Sequence, residues 1–253
     1  MQSKIQQTRE QSQLKKTTKA MTLKLHKLLI VTAILLFGCI SANGQSSREI
    51  DSLLHNAYEK DQRIRKDFMN MLQKVNSIGT SNVTAGLADS LVFLSEQTKL
   101  VDKDNSELLD RILKNGLPKN LSSQSYKTIW LIIDHSDLDQ QKRYLPLMTE
   151  TAAKGHINNK NLAVLTDRIC MYEGKPQKYG TQSYTTTVEG KQIIYIWPVE
   201  EPEKINDLRR EIGECSIEEY VMILEQTSGC KVIFDPKLTV KIMKQKGLID
   251  CYQ

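Results

Sequence analysis

Apolar residues recur at helical spacing through most of the chain beyond residue 46. Ile50, Leu53, Leu54, Ala57, Ile64, Phe68, Met71, Leu72 and Val75 lie mostly three or four apart, which predicts a first helix over about 47–76. The stripe is interrupted where Asp61 stands with Gln62 and Arg63 beside it. A carboxylate on an apolar stripe must be paired, hydrogen-bonded or at a pocket edge, because a bare buried charge is strongly destabilising. An intrahelical pair with Arg65, four residues on, and a place in a functional site are the two readings. After a loop over 80–86, Leu87, Leu91, Leu94, Thr98 and Val101 predict a second helix. Leu108, Leu109, Ile112 and Leu113 predict a third, closed by Asn115-Gly116 and Pro118. Asp102, Lys103 and Asp104 fall between the two and read as a solvated face.

Tyr126 to Ile133 is nearly all apolar, and its length and flanks fit a buried helix better than a strand. It runs directly into Asp134-His135-Ser136-Asp137. A core element that delivers an imidazole and two carboxylates to its end can build a rigid site, since histidine titrates near neutrality. His135 and Asp137 are therefore candidates for a base and its orienter, or for two ligands of a metal completed by Asp167. Against this, Asp137 can cap the next helix, Leu138 to Ala153, with His135 a structural histidine. A further helix begins near Asn158 or Asn159 and turns Leu162, Leu165, Thr166 and Ile169 inward. Asp167 and Arg168 lie near its end, just before a turn forced by Gly174 and Pro176.

That turn, Pro176-Gln177-Lys178-Tyr179-Gly180-Thr181-Gln182, presents two glutamines and a tyrosine. Tyr184 to Val188 and Gln192 to Trp197 are rich in β-branched and aromatic residues around Glu189-Gly190-Lys191, which predicts a β-hairpin. A helix with Ile205, Leu208 and Ile212 follows and carries Arg209 and Arg210, one of them a candidate for an anionic ligand or for pairing with Asp167 or Asp61. Ser216 and Glu219 form a capping box for a helix through Leu224, and the tail reads as a short strand and helix. The fold class is mainly α (α+β): a bundle-like helical domain with a small antiparallel hairpin after the turn.

Composition changes this picture mainly at the N-terminus. Met21 opens a better-formed beginning than Met1, Lys24, His26 and Lys27 supply positive charge, Leu28 to Ile40 is an apolar run, and Ala42-Asn43-Gly44 supplies small residues. This is the pattern of a secretory signal peptide over residues 1–44, so the mature protein is expected to be exported, periplasmic or extracellular. A lipid anchor at Cys39 is the minority reading, since Phe37 is bulky for a lipidation motif and the apolar run continues past the cysteine. Seven of the 35 Lys/Arg and one of the 30 Asp/Glu fall in residues 1–44, leaving 28 basic and 29 acidic residues and a net charge of −1. The basic balance belongs to the leader, and nucleic-acid binding has little support. No later stretch is long and apolar enough for a membrane span. Residues 46–225 are expected to form one helical domain and 226–253 a short appendage. Cys215, Cys230 and Cys251 could staple the C-terminal segment in an oxidising compartment, while Cys170 or all four could stay reduced. No pair has the short spacing of structural zinc ligands.

Asp61-Gln62-Arg63, His135-Ser136-Asp137, Leu165-Thr166-Asp167-Arg168, Gly174 to Gln182, and Arg209-Arg210 with Gly213 and Tyr220 together resemble an uncharacterised bacterial family of domains of unknown function. The similarity covers about 61–220. The chain departs from the family pattern at Asp134, where members have Gln, and at Leu117, where they have Trp. The resemblance marks residues and implies no reaction. Two functions are therefore expected. The first is an envelope hydrolase or transferase with His135, Asp137 and Asp167 catalytic, and with Asp61, Arg63, Arg168, Gln177, Tyr179, Gln182 and Arg209 holding a small-molecule or cell-envelope ligand. The second is a non-catalytic module that binds a sugar, peptide or protein partner. No motif assigns a cofactor, and the need for a metal stays open.

Overall fold

The computed structural model describes residues 46–78 and 82–249, and every described element lies in the unit Ser47–Gln253. The leader with Cys39, and Cys251, lie outside the described residues. Eight α-helices and three strands are described. The helices are α1 (Ser47–Ile78), α2 (Ala85–Leu113), α3 (Ser123–His135), α4 (Leu138–Ala153), α5 (Asn159–Tyr172), α6 (Ile205–Glu211), α7 (Ile217–Ser228) and α8 (Val240–Gln245). The strands are β1 (Ser183–Val188), β2 (Lys191–Ile196) and β3 (Lys231–Ile233). The fold is mainly α with some β.

The periodic stripes become one helical core. Leu54, Leu109, Ile129, Ile133, Met148 and Leu165 are fully buried in it, contributed by α1 to α5. Helices α1 and α2 are joined by a short connection and pack against each other, and α3 packs on both. The two helices expected between residues 87 and 113 are one continuous helix. Nothing in Asp102-Lys103-Asp104-Asn105 breaks a helix, and the polar stretch lies in its interior. Starts are set locally by side-chain caps: Thr84, Ser122, Asp137 and Asn158 each accept from a backbone N–H of the first turn. Ser216 and Glu219 form the full reciprocal box at α7.

The sheet has the order β1-β2-β3, with β1 and β2 antiparallel and β3 parallel to β2. Glu189 and Gly190 connect the hairpin with φ of 50° and 77°, so both central residues are left-handed, as a two-residue turn matching strand twist requires. Side chains alternate across β2. Ile194 and Ile196 face Ile205, Ile217 and Val232, whereas Tyr195 packs with Trp197 among Met171, Leu238, Met243 and Ile249. The tail thus supplies a strand to the sheet and apolar cover to Trp197. Cys170, Cys215 and Cys230 are free thiols. No helix among the described residues is long and apolar enough to cross a membrane.

Candidate functional site

Asp61, on the buried face of α1, is 1% exposed. Helix α3 ends at His135 because Ser136 is extended (φ −80°, ψ 177°) and Asp137 starts the next helix. The ending places the imidazole against α1, where His135 Nδ1 lies 2.9 Å from Asp61 Oδ1. A carboxylate can only accept, so Nδ1 carries a proton, and in the neutral imidazole it is Nε2 that holds the lone pair. The same carboxylate accepts from Arg65 Nε at 3.1 Å and from Gln62 Nε2 at 2.8 Å. Arg65 reaches on through Nη2 to Asp102 on α2. One guanidinium is therefore shared by two carboxylates, and one of those orients a histidine whose side chain is 19% exposed.

The electrostatics of the two acids differ. Burial works to raise the Asp61 carboxyl, but the His135 hydrogen bond and the charges of His135 and Arg65 outweigh it and hold the group below its ordinary value. Burial dominates at Asp102 and pushes it above its ordinary value despite Arg65. Ligand atoms of Asp61, Asp102 and His135 lie within 4.8 Å of one another, the one such metal-capable group among the described residues. The Arg65 guanidinium already bonds both carboxylates, so an entering divalent ion would have to displace it.

A second polar assembly adjoins the first through the chain. Asp134, next to His135, accepts from Arg168 Nε at 2.9 Å, and Arg168 is next to Asp167. Asp167 is fully buried and receives the backbone N–H groups of Lys178, Tyr179 and Thr181 together with the Thr181 hydroxyl, at 2.9–3.1 Å. Burial raises its carboxyl above the ordinary value, opposed by these donors. Gln177, also fully buried, donates to the carbonyls of Gln182 and Trp197 and accepts from the Gln182 N–H. Arg209, 1% exposed, donates to the carbonyls of Tyr179, Gly180 and Cys215 and lies over the Tyr220 ring. Gly180 has φ +66°, and a Cβ there would approach Ile217 Cδ1 to 3.1 Å. The turn over 177–182 is thus clamped from within by an acid, an amide and a guanidinium.

The site residues expected from the sequence divide accordingly. His135 and Asp61 come together. Asp137 caps α4 by accepting from the Gln140 N–H at 2.8 Å and makes no hydrogen bond to His135. Asp167, Gln177 and Arg209 bind the turn's own backbone, Gln182 donates through Nε2 to the Thr181 hydroxyl, and Arg168 pairs with Asp134. Gln182 also donates to the Val164 carbonyl at 3.3 Å. Tyr179 is partly exposed under the Lys178 ammonium, 5.1 Å from its ring centre, and Arg63 is exposed. Arg65 and Asp102 complete the cluster, and Asp102 is no member of a solvated face. A signal for it was present: Thr98, Asp102, Asn105 and Leu109 are spaced four, three and four apart, so Asp102 and Asn105 sit on the helix's inward stripe.

Fold and site together define a mainly helical domain that carries an oriented histidine in its bundle and an internally clamped turn ahead of its hairpin. The chain belongs to the Family of unknown function (DUF6624), which matches residues 62–233. Neither a curated protein nor a solved structure matched it at a significant level.

Proposed function

We propose that this chain is an exported hydrolase of polar envelope substrates in which His135 acts as general base and Asp61 orients it. The observation that carries this reading is the 2.9 Å contact between His135 Nδ1 and Asp61 Oδ1, with the carboxylate buried and the imidazole partly open. Held this way, Nε2 takes a proton from water as the water oxygen bonds an acyl carbon. The imidazolium then returns that proton to the leaving group, and Asp61 stabilises the charged ring in between. Arg65 keeps the orienting carboxylate ionised, and Asp102 on α2 holds Arg65 in place. In this assignment Asp61 takes the orienting part expected of Asp137. Export is supported by the leader pattern over residues 1–44.

The test incubates the chain lacking its leader with short peptides, cell-wall fragments and simple esters, and follows products by mass spectrometry. Turnover by the wild type is expected to fall by roughly 10²–10⁴ in His135→Gln, and similarly in Asp61→Asn. Equal turnover by His135→Gln overturns the assignment. Affinity without turnover, unchanged in that variant, would instead establish the non-catalytic module.

A further inference from the structure

Beside the Asp61 cluster, α1 and α2 part to leave a groove of about 350 Å³. Its floor is apolar, made by Leu53, Ala57, Val101 and Leu108, and Asn105 is set among them. Asn105 is 5% exposed, and its Nδ2 is buried without a hydrogen-bond partner. The amide makes no side-chain hydrogen bond to any described residue. An unsatisfied amide on a helix–helix seam is destabilising, and an apolar residue of the same size would avoid that cost. Its two polar atoms exchange places by a half-turn about the terminal torsion, so either a donor or an acceptor can be presented to the groove.

The groove's rim narrows what would satisfy that amide. Lys60 and Asp104 stand toward one end, Glu107 and Arg111 toward the other, all exposed. Each end therefore offers one cation and one carboxylate, which suits a ligand carrying opposite charges at its two termini and disfavours a polyanion. No aromatic side chain lines the groove, so the stacking surface that favours a sugar ring is missing. Asp104 and Arg111 are seven residues apart on one helix, about 10 Å along its axis. An extended tripeptide has that length. The geometry points to the α1–α2 groove as a binding site for a short peptide with free termini, its backbone amide paired with Asn105 and its ends with the charged rim. Lys60 and Val101 directly neighbour Asp61 and Asp102 in sequence, so the site adjoins the His135 cluster; it stands whether or not that cluster is catalytic.

The test titrates trialanine with free termini into isotopically labelled protein and follows the side-chain amide resonances by NMR. A saturable shift of the Asn105 amide is expected, with affinity reduced at least tenfold in Asn105→Leu and likewise for the N-acetylated, C-amidated peptide. His135→Gln should bind trialanine as the wild type does, which separates this inference from the fate of the hydrolase reading. Leucine is a good helix former of similar size, and the helical circular dichroism of Asn105→Leu checks that the fold persists. A second variant, Lys60→Glu with Arg111→Glu, changes only exposed residues and should also weaken binding. No saturable shift at millimolar peptide, undiminished binding by Asn105→Leu, or equal binding of an N-acetylglucosamine oligomer would each overturn the assignment.

Discussion

Asp61 and Asp102 bind one guanidinium yet hold their protons in opposite ways, and this has a measurable sign. Asp61 sits below its ordinary value of 3.8 in the folded chain, so between those two values the unfolded state binds more protons. Its contribution to stability is complete above the unfolded value and is lost as pH falls through the folded one. Asp102 sits above its ordinary value, so its contribution is complete in acid and is lost as pH rises through the folded value. Denaturant titrations of Asp61→Asn and Asp102→Asn at about pH 6 and about pH 3 should therefore give opposite trends. Asp61→Asn should be more costly at the higher pH and Asp102→Asn less costly. A common trend would contradict the shared-guanidinium picture. Asp167 makes a sharper case, because every group facing it is a donor. Asp167→Asn points an NH₂ at backbone N–H groups, and the expected loss is about 3–5 kcal/mol, the cost of breaking a buried charged network by removing one partner. Differential scanning calorimetry reads this, and limited proteolysis should then cut within 178–182.

At the scale of elements, the decisive joint is the short passage from α3 to α4 that carries His135. Gln141, the first residue beyond the opening turn of α4 and fully buried, donates to the carbonyls of Asp134 at 3.0 Å and Ser136 at 2.9 Å. Those carbonyls flank His135 on both sides, so one side chain fixes the backbone from which the imidazole projects. If His135 is the base, Gln141→Leu should lower kcat more than KM, because it loosens the base without touching the substrate. A shifted His135 Nδ1–H resonance would show that loosening directly, and a stability loss of about 1–3 kcal/mol should accompany it. An unchanged resonance would leave Gln141 with a packing role only. What was legible in the sequence lay at this same scale and was local. Caps at Asp137 and Ser216, the Glu189-Gly190 turn and the α-helical stripes each depend on residues within a few positions. The contact between Asp61 and His135 spans 74 residues, and that between Arg65 and Asp102 spans 37. No local signal reports which polar groups of two helices will meet. The turn over 177–182 was visible as unusual for the same reason that it does not face outward: so many amides and charges in one stretch are what an internally clamped loop needs.

For the whole molecule, the two apolar clusters around the sheet tie the C-terminal segment to the rest. A parallel strand cannot follow its neighbour by a tight turn, and here α6 and α7 form the crossover that brings β3 beside β2. Val232 is 5% exposed within one cluster, while Leu238, Met243 and Ile249 enclose Trp197 in the other. The family match ends at residue 233, so it includes β3 and stops short of the segment that covers Trp197. Full burial of each such side chain contributes about 1.5–3 kcal/mol, and four of them together are comparable with the roughly 5–15 kcal/mol that separates a folded domain from its unfolded state. The helical core shares no buried residue with these clusters. A chain ending at Cys230 should therefore keep most of its helical circular dichroism while its sheet loses fixed packing. The measurement is fluorescence in a Trp130→Phe background, where Trp197 reports alone. Truncation is expected to shift its emission to longer wavelength, and an unshifted spectrum would mean that the tail is dispensable to the sheet.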